Sequence, residues 1–532
     1  MRFPKSLTTK VPAVFLALSL SLPALAAPAL AANNPGVTQP APGTAETQSR
    51  QADPVVVTQA SPVRGVYQPD SATYRFLGVP YATVPGYFMD AQELPKSETV
   101  FNAASYGAIS PQADLFSAPG VLTYSAASND CLNLNVWTPG INDGQTAKRP
   151  IIVWLHGGGL SKGYSMSKDS DGSNLASSSN AVVISVNHRL NVFGFLNLSD
   201  YGEQYQHSQN QGIRDLILAL KYIKANATVF GGDPENITLM GQSGGGIKIL
   251  ALLSAPEAQG LFQRAIIQSA TTEQYDAKFH SPELSRQIAQ NVLGRLGLTA
   301  ETVDEIQSLS LATIQAAASQ ALIDTAQQNN IARPTATTYA LGWTPVFDND
   351  VITADPVVTG FPDWTDKIPL LIGSNLVEWN SFTYPANLTG HQHQVLAGAA
   401  PYVRGAYPDI FINAWSVDTR FRSNAIAIAT AKSKQSAPVY NYIWAYYGGY
   451  THGVEIPYIF KNLTALIATN RAMSNMSSAL WASFAATGKP SCTGINDWPS
   501  FTEQTHNTMI LNLQPRLGVN HDTALLQALS GF

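Results

Sequence analysis

The stretch Gly241-Gln242-Ser243-Gly244-Gly245 constrains this chain more than any other. It follows Asn236-Ile237-Thr238-Leu239-Met240, an apolar, branched run with the length of a buried strand. After it, Ile247-Lys248-Ile249-Leu250-Ala251-Leu252-Leu253 reads as an apolar helix. A G-x-S-x-G between a strand and a helix marks an elbow that presents a serine nucleophile. The reason is steric: so tight a turn forces the serine into a strained backbone conformation, and the flanking glycines let neighbouring segments approach. By itself the pentapeptide is weak, because a glycine-rich turn with a solvated serine has the same composition.

The surrounding pattern strengthens it. Pro150-Ile151-Ile152-Val153-Trp154-Leu155 is a continuous apolar run suited to a central parallel strand. It ends in His156-Gly157-Gly158-Gly159. Ala181–Val186 and Ala265–Ser269 read as further central strands, and 210–226 as a helix with Ile213, Leu216, Ile217, Leu220 and Ile223 on one face. Asn129–Pro139 alternates with period two, as a half-buried strand does, and the segments 63–66 and 76–82 read as an opening hairpin. This alternation predicts an α/β fold with a mostly parallel sheet and helices on both faces. In such sheets ligands bind at the carboxyl ends of strands, where both glycine motifs fall.

Residues 1–26 read as a secretory signal: Arg2, Lys5 and Lys10 precede the apolar run 11–22, with small residues at Ala24-Leu25-Ala26 and again at Ala29-Leu30-Ala31. Pro23 interrupts a run already short for a membrane span, so the expectation is an exported protein with no stable membrane anchor. Residues 27–54, rich in Ala, Pro, Gln and Thr, read as a flexible linker, leaving 55–532 as one catalytic domain. Charged residues are only 13% and the net charge is −5, with no basic block to suggest nucleic acid. Cys131 and Cys492 could form one bridge in an exported protein or remain two free thiols.

Attack of a hydroxyl on an ester moves negative charge onto the carbonyl oxygen. Gly157-Gly158-Gly159 can offer it backbone N–H groups, and Gly244 another at a helix start, where the dipole favours an anion. A serine nucleophile also needs a base and an orienting acid, which follow it in the order Ser, acid, His. Among nine histidines, His391, His393, His452, His506 and His521 lie far enough downstream. His452 is the best placed, in a glycine-containing loop beyond the aromatic strand 439–444; His391 and His393 read as surface loop, and His156 as structural. Glu378 lies just past the strand-like 369–375, where the residues alone describe a solvated glutamate equally well.

Together these segments resemble the type-B carboxylesterase family, which includes carboxylesterases, cholinesterases and some fungal lipases. The likeness covers about 63–501 and rests on ordered matches: F-L-G-V-P-Y-A at 76–82, D-C-L-N-L-N-V-W-T-P at 130–139, W-L-H-G-G-G at 154–159, V-N-H-R-L-N-V-F-G-F-L at 186–196, N-Q-G-I-R-D at 210–215, F-G-G-D-P-E-N-I-T-L at 230–239 and G-L-F-Q-R-A-I-I-Q-S at 260–269. Glu378 matches the family's G-x-N-x-x-E and His452 its H-G-x-E. The resemblance implies an α/β-hydrolase fold and two-step acyl transfer on a small-molecule ester. Ser243 would be the nucleophile, His452 the base and Glu378 the acid, with Gly158, Gly159 and Gly244 binding the oxyanion, and no metal or cofactor.

Four departures stand out. Gln242 replaces the usual glutamate, which would leave a neutral partner near Glu455. Gly244 replaces alanine, which keeps the N–H but would loosen the helix start. Trp379 replaces a glycine and would shape the acyl pocket. Cys131 lacks the family's upstream partner, so 111–129 would be an unstapled flap; that segment also lacks a tryptophan, which argues against a cholinesterase. Acyl and alcohol pockets would come from the insertions 280–345 and 380–435. A lipase-like enzyme, an inactive binding member and an amide hydrolase are the rival readings.

Overall fold

The two apolar runs that end in glycine motifs lie side by side in the middle of one sheet. A computed structural model describes residues 53–112, 127–141, 148–272, 276–331, 341–379, 388–446, 451–464, 467–495 and 497–530. The expected signal, nearly all of the expected linker and most of the expected flap lie outside these residues.

Numbered along the chain, the strands of the main sheet are β1 (Val66–Gln68), β2 (Thr73–Pro80), β3 (Asn133–Thr138), β4 (Arg149–Leu155), β5 (Val182–Val186), β6 (Gly232–Gln242), β7 (Arg264–Gln268), β8 (Leu370–Asn375), β9 (Val439–Trp444), β10 (Thr508–Leu511) and β11 (Arg516–Gly518). Their spatial order is β11-β10-β9-β8-β7-β6-β4-β5-β3-β2-β1. From β5 to β10 every pairing is parallel, and the flanking pairings are antiparallel. The chain steps from β4 to β5 on one side, then crosses back through α1 (Gln211–Asn226) to β6 on the other. That reversal opens a crevice at the carboxyl ends of β4 and β6.

Successive residues of a strand face opposite sides. Ile151, Val153, Leu155 and Leu239 join one buried cluster; Ile152, Trp154 and Met240 join another with Trp444 and Trp481. Two covered faces explain why these strands read as unbroken apolar runs. All five apolar residues predicted for one face of α1 are buried. α2 (Gly244–Leu253) is buried along its whole length, including Lys248.

Three expectations need correction. β6 starts earlier than 236, because Gly232 already pairs with Arg149 before an irregularity resets the register at Ile237. The opening hairpin divides at Gly65. Val66–Gln68 pairs with Thr73–Arg75, while Pro62–Arg64 joins Val55–Val57 and Phe101–Asn102 in a separate three-stranded sheet. A Cβ at Gly65 would lie 2.6 Å from Arg75 O and from the Phe76 ring, so only glycine passes between the sheets. His391 and His393 lie in the exposed first turn of a helix, Gly390–Ala406, not in a loop; a capping box between Thr389 and Gln392 starts it.

Cys131 is buried, Cys492 is half-buried, and both are free thiols. Among the described residues no helix is long and apolar enough to cross a membrane.

A buried ion pair locks the sheet to α1. Arg189, just after β5, meets Asp215 of α1 through Nε at 2.8 Å and a terminal nitrogen at 2.6 Å, both side chains fully buried. The same guanidinium donates to Met89 O and Gln211. Replacing Asp215 by Ala leaves an uncompensated buried cation, so urea denaturation should show a loss of about 3–5 kcal/mol. A loss under about 1 kcal/mol, the scale of a surface pair, would refute this account.

Candidate active site

Ser243 sits between β6 and α2 with φ 59° and ψ −127°, a strained conformation for a non-glycine residue. Its neighbours hold it there. A Cβ at Gly241 would lie 2.6 Å from the Gly245 carbonyl, and a Cβ at Gly245 would lie 2.1 Å from Leu155 O. The Ser243 N–H donates to Gln268 O of β7 at 2.8 Å, which pins the turn to the next strand. The helix begins at Gly244 itself. A Cβ there would lie 2.0 Å from Gly159 O, so the glycine loop occupies the space a methyl would need.

Gly158 (φ 98°) and Gly159 (φ 60°) turn that loop through the left-handed region. The loop passes close to the serine: a Cβ at Gly157 would lie 3.2 Å from Ser243 Cβ. Among the described residues, no protein acceptor takes the N–H of Gly158, Gly159 or Gly244. Bare amides beside a strained serine can hold a developing oxyanion.

The structure brings Glu378 and His452 together. His452 Nδ1 lies 2.6 Å from Glu378 Oε2, and the His452 backbone N–H donates to Glu378 O at 3.0 Å. A carboxylate accepts, so Nδ1 carries the proton and Nε2 is left with the lone pair a general base needs. Glu378 Oε1 accepts from the Asn375 N–H at 2.8 Å. Among the described residues the Ser243 hydroxyl has no hydrogen-bond partner. The Gln242 amide nitrogen lies 3.2 Å from Nε2 and 3.4 Å from Nδ1, which places the ring against the residue next to the serine.

The neutral Gln242 amide therefore partners the imidazole. Glu455 instead accepts from Gln268 at 3.0 Å and from the Asn375 side chain at 2.8 Å. The rings of Trp379 and Phe421 lie 4.4 and 4.9 Å from the imidazole. The Trp379 ring is tilted 35° against the imidazole and is 57% exposed. Phe421, Asn375, Gln268 and Lys248 escaped the sequence reading. Only Lys248 left a local signal, a lone charge in an apolar helical run.

Burial shifts the titration of these groups. It pulls His452 down to about 4, against the partial opposition of Glu455 and Asp418. Burial, with the charge of Asp418 second, pushes Glu378 up, while the Asn375 N–H favours its anion. Burial and then Glu378 raise Glu455.

A sheet of this order with a strained serine at the β6–α2 turn defines an α/β-hydrolase. A family model described as "Carboxylesterase family" matches residues 52–396 and 411–527, and the chain belongs to that family. It is 32% identical over 490 residues to the para-nitrobenzyl esterase of Bacillus subtilis, covering 86% of this chain and 94% of that protein. It is 26% identical over 504 residues to a medium-chain fatty acyl-CoA hydrolase precursor of Anas platyrhynchos, covering 86% and 88%. A solved esterase from anaerobic Clostridium hathewayi, which can hydrolyze aliphatic aromatic polyesters, superposes with a TM-score of 0.78 at 31% identity, covering 90% of this chain and 98% of that one. The protein is a carboxylic ester hydrolase.

The depressed imidazole has a kinetic consequence. If His452 is the general base, its neutral ring is the active form, and activity falls as pH drops through its pKa. The acid limb of kcat/KM for a chromogenic ester should therefore lie below the ordinary imidazole value of about 6.5, toward about 4. A limb at or above the ordinary value would contradict the burial argument.

Proposed function

We propose that this carboxylesterase cleaves small and medium carboxylic esters by acyl transfer through Ser243, His452 and Glu378. The observation that carries the reading is the 2.6 Å bond between His452 and Glu378, made beside the elbow and its bare amides. Ser243 Oγ attacks the acyl carbon as its proton passes to His452 Nε2. The carbonyl oxygen becomes an anion held by the N–H groups of Gly158, Gly159 and Gly244. The bond to the alcohol oxygen breaks, and the alcohol leaves with the proton from Nε2. Water then attacks the acyl-enzyme, giving its proton to the same nitrogen; Ser243 takes that proton back as the acid departs.

Glu378 orients the ring and stabilises the imidazolium that forms in each half-reaction. Catalytic bonds between a hydroxyl and an imidazole often tighten only when substrate binds. Trp379 gives the ester an aromatic wall beside the base. The leader read in residues 1–26 supports export before the enzyme acts.

Wild type and Ser243→Ala should be compared on chromogenic esters of rising chain length. The variant should lose at least about 10⁴-fold in kcat, and an organophosphate should label only the wild type, at Ser243. A variant retaining more than about a tenth of the rate would exclude Ser243 as nucleophile. For export, N-terminal sequencing of the protein recovered outside the cytoplasm should begin after Ala26 or Ala31; a start at Met1 would overturn that reading.

A further inference from the structure

Beneath the glycine loop lies a fully buried lysine. Lys248 sits in α2, surrounded in sequence by Ile247, Ile249 and Leu250. Burying an ammonium is expensive, and an apolar residue would fill the position without that penalty. Its Nζ donates to His156 O at 2.8 Å and stands 3.5 Å from His156 Nδ1. His156 is the residue just before Gly157-Gly158-Gly159.

We infer that Lys248 is a positioning residue for the oxyanion-binding amides, holding the His156 carbonyl so that the following N–H groups stay turned toward the acyl oxygen; this rests on the acyl-transfer reading of Ser243.

Peptide geometry links the lysine to the amides. In a trans peptide the carbonyl and the next N–H point opposite ways. Holding His156 O toward α2 directs the Gly157 N–H away from α2. His156 Nδ1 lies 2.8 Å from Gly157 O; a carbonyl only accepts, so Nδ1 carries the proton, and the Gly158 N–H is turned away from the ring. Gly158 O accepts from Lys162 N at 3.1 Å, which turns the Gly159 N–H away in the same manner. Three successive peptides thus have their carbonyls anchored in the protein. Their far ends are the amides of Gly157, Gly158 and Gly159; Lys248 anchors the first peptide and so fixes the base from which the other two set out, and the Gly158 and Gly159 amides have no protein acceptor among the described residues. A hydrogen bond at the carbonyl also polarises the N–H of the same peptide.

Packing holds the arrangement closed. Gly163 (φ 114°) covers the His156–Gly157 contact so tightly that a Cβ there would lie 2.3 Å from both Gly157 O and His156 Nδ1. The imidazole stacks on His188, with ring centroids 5.4 Å apart. Burial, and next the charge of Lys248, hold both rings well below the ordinary histidine value. A neutral His156 has one ring proton, and the contact with Gly157 O claims it.

The test compares the full chain with Lys248→Met, which keeps the stem without the ammonium, and Lys248→Gln, which keeps an N–H donor without the charge. Each is measured as kcat per organophosphate-titrated site, KM, and affinity for an aryl trifluoromethyl ketone, whose adduct carries the same oxyanion. Removing a direct donor costs about 10²–10³ in rate, so an indirect lesion in Lys248→Met should cost about tenfold in kcat with KM nearly unchanged. Ketone affinity should weaken by the same factor as kcat/KM. Lys248→Gln should recover part of both. His156→Phe, which removes the next donor in the series, should repeat the pattern and serves as the readout if the Lys248 variants do not fold. Full kcat per titrated site and undiminished ketone affinity in the variants that fold would overturn the inference. A wild type whose ester hydrolysis survives Ser243→Ala would instead overturn the acyl-transfer reading beneath it.

Discussion

The structure turns on the contact between two stretches of backbone at the ends of β4 and β6. At Gly244 and Gly245 there is no room for a Cβ, because Gly159 O and Leu155 O stand where it would be. That proximity brings the glycine loop beside the strained serine. It is possible only because the sheet order makes β4 and β6 neighbours although α1 and β5 separate them in sequence. A tightly packed interior transmits such constraints, so the elbow, the loop and the helix behind them act as one rigid unit.

The second constraint is electrostatic. Three carboxyl groups, Glu378, Asp418 and Glu455, are buried around one imidazole, and burial raises the pKa of each. Each has hydrogen-bond donors of its own. Asp418 accepts from the Arg420 and Phe421 N–H groups, while Asn375 serves Glu378 with its backbone and Glu455 with its side chain. Asn375 also donates to Thr451 O, tying the end of β8 to the loop that carries His452. A neutral Gln242 against the ring adds no further charge to this group. Glu378 and the loop that carries His452 thus share one asparagine at a strand end.

The central strands, α1 and the elbow were legible because each depends on a local pattern: unbroken apolar runs for strands covered on both faces, a 3.6-residue period for a one-sided helix, and glycines around a serine. His452 stood out by its glycine-containing loop beyond the strand 439–444, whereas Glu378 stood out only through motif resemblance. The hairpin split at Gly65 and the helix carrying His391 and His393 were misjudged. One depends on which strand Pro62–Arg64 finds as a partner, the other on a capping box easily passed over between polar residues. Lys248 was visible as a charge in an apolar run, but its partner lies 92 positions upstream.

By itself the sequence determined the kinds of element and the chemistry they could carry, because period, branching and glycine placement act within a few residues. Only the tertiary structure decided which groups meet: that Gln242 faces the imidazole while Glu455 turns to Gln268 and Asn375, that Gly159 O fills the space a Cβ at Gly244 would need, and that a buried lysine reaches the carbonyl behind the glycine loop. Those contacts depend on the order in which strands pack. That order is set by the whole buried interior, and no short stretch of chain contains it.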